Sequence, residues 1–360
     1  MIKIELTNEI KQYHKKYFED NIKPNFKIND EIKMDKCDLK KHEEFMCFCY
    51  DNYKNFAIGD INKLREIYKE IEEKHKEILE MIKCNTKNVS INELKQSKPY
   101  KNYLLDVFGY DKFVNRTTFD VTKNDITIGN YDNYSSRNSW NPYMFVFMLG
   151  IRVCPYCNRQ YITPVYSSSG KLRADLDHFL SKNKYPFFSM SLYNLIPSCK
   201  FCNSSLKKTK EFDFDSLNPY EHNIDDYIKF EMDISSNFDN ESYIFANPIK
   251  EEKKAKEYLN MFKIETLYNY HRNQASDLLK KKLIYSDEYL ENMYKYFGNS
   301  FSSFDELKEL VIGYTISKEN INDEPLAKFK RDISKQLGFI EEVDKDTIDK
   351  LKLLHTSITE

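Results

Sequence analysis

Along residues 60–83 the apolar positions Leu64, Ile67, Tyr68, Ile71, Ile78, Leu79 and Ile82 recur at helical spacing. That period lines them up on one face, so the segment predicts one amphipathic helix. Asp60 suits its N-cap, and Glu70/Lys74 and Glu72/Lys76 suit i,i+4 pairing on the wet face. His75 completes the stripe as a packed or boundary histidine. Residues 1–55 look mostly helical with a weaker period, whereas 130–139, rich in Asn, Ser and Tyr, has no period and reads as a connection. The apolar run 143–149 predicts a helix leading into the cysteine region. Residues 161–165 are strand-like, Ser167 to Gly170 is a turn, and 172–177 can return as a second strand. Residues 202–207 can begin a short helix. Beyond Lys210 helical spacing resumes with Tyr258, Leu259, Phe262, Leu278, Leu279 and Leu283. Gly338 fits a helix stop after 325–337.

Composition narrows the class. The 360 residues are 41% hydrophobic and 31% charged, with 27 Tyr and 25 Phe, which excludes a disordered chain. Only 8 Gly and 10 Pro are present, too few for a turn-rich sandwich or barrel, so helix should dominate. No two glycines have the spacing of a phosphate loop or a dinucleotide fingerprint. The longest apolar stretch, 143–151, is about half the ~20 residues of a membrane helix, and the first 16 residues are too charged for a signal peptide. A soluble, cytoplasmic protein is expected, with no membrane partner. The expected architecture is mainly α with a small α+β insert: a helical region over 1–140, a small cysteine-bearing core over 141–215 and a second helical region over 216–360.

The net charge of −2 hides an asymmetry. Residues 151–210 hold ten Lys or Arg against Asp175 and Asp177, so this window carries +8 and the remainder −10. Such a split suits a nucleic-acid-contacting module in an acidic carrier, or a solvated basic loop.

Within the basic window lie Cys154-Pro-Tyr-Cys157 and Cys199-Lys-Phe-Cys202. A CxxC turn places two thiolates on one edge of a metal, and two such turns complete the sulfur tetrahedron of structural Zn²⁺. One CxxC alone suits redox chemistry; two, without a thioredoxin-like context, favour zinc. Four sulfur ligands leave no open position for substrate. Cys37, Cys47, Cys49 and Cys84 form no such pair. Cys47 and Cys49 lie near His42 and raise a second metal site, although free cysteine is commonly a small buried hydrophobe.

Between the knuckles stand Asp177-His178, then Asn194-Leu195, then Asn203 directly after Cys202. An imidazole can deprotonate water near neutral pH, and a carboxylate with a carboxamide can hold a hard cation. Asp177-His178, Asn194-Leu195 and Cys199-x-x-Cys202-Asn203 with Lys207 together resemble the HNH (ββα-metal) endonucleases over about residues 150–215. The wording CPYCN, DHFLSKNKYP and NLIPSCKFCN is similar to zinc-knuckle HNH proteins of prokaryotic defence modules, Septu-type and retron-associated nucleases among them. The resemblance implies His178 as general base, Asp177 and Asn203 as ligands of catalytic Mg²⁺ or Mn²⁺, and Asn194 as a brace for the His-bearing loop. Many family members have histidine where Asn203 stands, and an amide oxygen suits Mg²⁺ better than zinc. Lys182, Lys184, Lys207, Lys208 and Lys210 would meet the polyanion.

Hydrolysis of nucleic acid, DNA before RNA, is therefore the expected activity, in an anti-phage defence setting that suggests a companion ATPase. A ribonuclease using the same site and an inactive zinc-containing scaffold are the competing expectations. Asp213, Asp215 and His222 lie just outside the motif; each fits an ordinary loop role as well as a place near the metal.

Overall fold

The computed structural model describes residues 3–27, 36–84, 99–116, 140–166, 170–208, 210–234, 242–313, 317–340, 343 and 345–359. The connection expected at 130–139 and the turn at 167–169 lie outside the described residues. The fold is mainly helical with small antiparallel strand pairs, as the low glycine and proline content predicts. The chain divides into two compact units, one of Ile4–Ile151 with Ile162–Glu221, the other chiefly of Arg152–Tyr161 with His222–Glu360.

In the first unit the helices are α1 (Asn8–Asn21), α2 (Lys36–Asp51), α3 (Tyr53–Ile58), α4 (Ile61–Lys74), α5 (Lys76–Lys83), α6 (Tyr100–Phe108), α7 (Tyr110–Val114) and α8 (Pro142–Met148). Asp60 caps α4 by accepting from the Lys63 amide at 2.8 Å, and Glu70 pairs with Lys74 at 2.6 Å. The single helix expected over 60–83 is two. It breaks at His75, whose backbone leaves the helical region (φ −132°, ψ 37°) and whose ring packs 5.5 Å from Phe45 and 5.1 Å from Phe48. Both pieces keep the apolar stripe buried: Leu64, Ile67 and Ile71, then Ile78, Leu79 and Ile82.

The apolar floor of this unit is aromatic. Phe45 meets Phe187 at 6.1 Å, Phe56 meets Phe188 at 5.8 Å, and Tyr68 meets Tyr185 at 5.0 Å. Residues 185–188 therefore plug the loop after His178 into the N-terminal helices. Each such ring pair contributes about 0.5–1.5 kcal/mol beyond its buried area. His14, fully buried on α1, donates from Nε2 to the Met190 carbonyl at 2.8 Å and accepts from Trp140. Burial lowers its pKa to about 4, so it serves as a neutral tie between α1 and this loop.

The strands differ from the sequence expectation. The first hairpin, β1 (Val165–Tyr166) with β2 (Lys171–Leu172), is only two residues long on each side. The strand bearing the Asp-His pair is β3 (Asp175–His178), and its partner is β4 (Leu195–Ser198), not the segment 161–165. Asp177 sits opposite Ile196 and His178 opposite Leu195. Pairing across 16 intervening residues leaves no local periodicity, and Pro197 disguises β4 as a connection. The helix foreseen after Cys202 is a π-helix, Phe201–Lys207.

In the second unit a hairpin that helical spacing did not suggest, β5 (Ile228–Met232) with β6 (Ile244–Pro248), packs on a helix, Ala327–Gln336. Asp332 accepts from the Phe230 amide and Gln336 brackets both backbone groups of Met232, so polar helix residues satisfy the strand edge. Gly338 ends this helix at φ +75°, as expected of a left-handed C-terminal stop. The first knuckle rests on two helices, Glu252–Met261 and Ile264–Tyr268. Tyr258 donates to the carbonyls of Pro155 and Tyr156, Tyr268 to that of Cys157, and the Tyr156 ring stacks 4.4 Å from Phe262. Asn158 closes the knuckle in the left-handed region (φ +51°) and holds the Ile321 carbonyl and the Lys328 amide with its side chain.

Candidate functional site

Cys154, Cys157, Cys199 and Cys202 are all buried, and their sulfurs lie within 4.8 Å of one another. A tetrahedral zinc with Zn–S of about 2.3 Å needs sulfurs about 3.8 Å apart, so a small contraction completes the shell. The four residues fit a structural metal such as zinc. Among the described residues no second group of this kind occurs. His42 is instead bonded through Nδ1 to the Tyr100 hydroxyl at 2.9 Å, Cys49 is buried with its thiol pKa pushed up, and Cys47 is exposed. Histidine and cysteine near one another in sequence on α2 thus serve packing; the Cys37 side chain lies outside the described residues.

Pleating sends Asp175 and Asp177 to one face of β3 and Leu176 and His178 to the other. His178 is buried, and its Nε2 donates to the Ser189 carbonyl at 2.9 Å. A carbonyl can only accept, so this bond fixes the proton on Nε2 and leaves Nδ1 as the lone-pair nitrogen. Among the described residues no hydrogen bond involves Nδ1. The Tyr110 ring lies 4.3 Å away on α7 and holds the imidazole plane, while its hydroxyl donates to the Leu176 carbonyl at 3.0 Å. Burial above all, with smaller help from Lys182 and Lys207 and against the opposing Ser189 bond, lowers the His178 pKa to about 3. The ring is neutral at pH 7, the state a proton acceptor needs.

Asn194 is wholly buried at the end of the loop that starts at Phe179. Its Oδ1 accepts from the Leu180 amide at 2.6 Å, and its Nδ2 donates to the carbonyls of Leu180 at 3.1 Å and Phe188 at 2.9 Å. One amide therefore cross-links both limbs of the loop that carries Ser189. Asn194→Ala leaves these backbone groups buried and unpaired at about 1–3 kcal/mol each. Chemical denaturation should show the variant destabilised by several kcal/mol; a loss below about 1 kcal/mol would mean that the loop is held by its aromatic plug alone.

The two predicted metal ligands are each engaged by another side chain. Both carboxylate oxygens of Asp177 accept from Lys207 Nζ, at 3.0 and 2.8 Å, and the same ammonium donates to the His178 carbonyl. Asn203 turns to the other aspartate of the strand, Nδ2 donating to Asp175 Oδ2 at 3.1 Å. A hard divalent ion needs oxygen atoms converging on one point. Asp177 and Asn203 as placed do not fit it. The expectation that Lys207 meets phosphate is corrected for the same reason: its side chain is 3% exposed and its three N–H donors are engaged.

The remaining lysines stay at the surface. Lys184, Lys208 and Lys210 are exposed, and Lys182 lies half-buried with Nζ 4.8 Å from the Tyr110 ring centre. Asp215 pairs with Arg65 at 2.8 Å and Asp213 accepts from Ser216, an ordinary loop arrangement. His222 packs against Tyr227. Three participants escaped the sequence reading: Tyr110, Asp175 and Ser189. Only Asp175 had a visible signal, its two-residue offset from Asp177 on one strand face. No protein family, curated protein or solved structure matches the chain.

Proposed function

We propose that this protein is an endonuclease that hydrolyses phosphodiester bonds, DNA in preference to RNA, with His178 as the general base. The observation that carries the reading is the locked tautomer: Nε2–H held by Ser189, Nδ1 presenting its lone pair, and lysines exposed on the flanking segments. In the proposed step Nδ1 takes a proton from water while the water oxygen forms a bond to phosphorus. One P–O ester bond breaks, and the departing oxygen is protonated by solvent. Lys184, Lys208 and Lys210 supply charge along the backbone, which brings affinity without base choice. The four-cysteine centre is read as a Zn²⁺ site that shapes the fold and stays outside the chemistry. The same reading includes dependence on Mg²⁺ or Mn²⁺, a cytoplasmic defence role and an ATPase companion, all three resting on the sequence resemblance.

Purified protein incubated with plasmid DNA and with total RNA, in Mg²⁺, Mn²⁺ or EDTA, tests the proposal. Nicking or linearisation of plasmid that EDTA abolishes is the expected result. Cleavage confined to RNA would reassign the substrate, and no cleavage under any condition would leave the zinc-containing scaffold as the better reading.

A further inference from the structure

We propose that the second unit holds a binding pocket for a phosphate monoester, anchored by Arg331 and independent of the chemistry at His178. A cavity of about 420 Å³ is lined by β5, by the helix Ala327–Gln336 and by Val343 and Thr347. Small-molecule sites commonly enclose about 300–1,000 Å³. The helix face turned to the cavity is polar throughout: Lys328, Arg331, Asp332, Lys335 and Gln336 stand at i, i+3, i+4, i+7 and i+8, the positions that ordinarily form an apolar stripe. The fold accounts for part of this face. Asp332 and Gln336 hold the β5 backbone, and Lys328 donates to Asp225 and to Asp332 at 2.8 Å each.

Arg331 is satisfied only in part. Its side chain is 9% exposed and Nη2 donates to Asp225 Oδ2 at 2.9 Å, whereas Nε and Nη1 are buried with no hydrogen-bond partner among the described residues. A guanidinium presents five N–H donors in a planar fork that matches an oxyanion, and buried donors without an acceptor cost free energy. An anion in the cavity supplies that acceptor. The carboxylates of the wall are already engaged: Asp225 by Lys318, Lys328 and Arg331, Asp332 by Lys328 and the Phe230 amide, Glu231 by Lys229 and Asn247. Lys229, Lys328, Arg331 and Lys335 outnumber these three acids, so the lining is net positive. That balance attracts a phosphate monoester, which carries close to two charges at neutral pH, more strongly than a single carboxylate. Ile228, Ile249 and Val343 add apolar surface for the organic body of the ligand.

Titration calorimetry of the full-length chain with adenosine 5′-monophosphate, adenosine, inorganic phosphate and citrate tests the pocket. The monophosphate should bind once per chain and at least about tenfold more tightly than adenosine, with inorganic phosphate competing for its place. Arg331→Lys keeps a positive charge beside Asp225 and removes the fork; it should weaken the monophosphate about tenfold or more. Ile249 lines the cavity with 56% of its surface exposed, so Ile249→Glu adds a carboxylate there without disturbing the core and should also weaken binding. Should Arg331→Lys fail to fold, Ile249→Glu carries the test against Ile249→Gln, which should bind as wild type. A 5′-phosphorylated DNA oligonucleotide compared with its unphosphorylated twin distinguishes the sources of the phosphate: preference for the phosphorylated end assigns a nucleic-acid terminus, and no preference beside a bound monophosphate assigns a free small molecule. Absence of binding by both phosphates, a monophosphate held no better than adenosine, affinity unchanged in folded Arg331→Lys or in Ile249→Glu, or citrate bound more tightly than either phosphate would overturn the proposal.

Discussion

His178→Ala should lower plasmid cleavage by about 10²–10⁴-fold, the usual worth of a positioned general base. The loss should appear in kcat with little change in nucleic-acid binding, because the lysines exposed at 184, 208 and 210 are untouched. Truncation also removes the donor to Ser189 and the packing against Tyr110, so some destabilisation accompanies it. His178→Gln separates the two effects, since its amide nitrogen can still donate toward Ser189 but has no basic lone pair. Both variants should be inactive, and Gln should melt closer to wild type. Turnover near the wild-type rate in folded His178→Gln would remove His178 from the mechanism and with it the proposed reaction.

Loss of any one knuckle cysteine should have the largest structural effect of any single substitution. A structural zinc contributes about 10–16 kcal/mol of apparent binding free energy, comparable to or above the roughly 5–15 kcal/mol that holds a whole domain folded. Cys157→Ser or Cys199→Ser should therefore lose stoichiometric zinc and unfold the segments around the knuckle, read by metal analysis, melting and proteolysis. One zinc per chain is expected in the wild type. Protein that purifies without zinc, or that keeps its melting temperature in a strong chelator, would refute the assignment. The buried thiols would then be a purely apolar cluster, as at Cys49.

Much of this was legible in the chain because it is encoded locally. The apolar stripe of α4 and α5 follows from three- and four-residue spacing, the Asp60 cap from its place before that stripe, and the Gly338 stop from the one residue that takes positive φ at no cost. Each CxxC spacing foretold a pair of sulfurs on one edge of a metal, while the convergence of the two pairs was decided by the fold. Asn194 as a loop brace was expected from the resemblance, and its three hydrogen bonds have that form.

What the sequence alone determined, then, is whatever repeats or turns within a few residues: helix faces, caps, knuckles and the Asp-His order. Tertiary structure decided which strand pairs with β3, that residues 185–188 enter the aromatic core, that Tyr110 from α7 backs the imidazole, and that Lys207 rather than Asn203 meets Asp177. Those outcomes depend on residues 17 to 142 positions apart in the chain. For such pairs burial, and the need of each buried charge for a partner, select the contact, and neither leaves a local period to read.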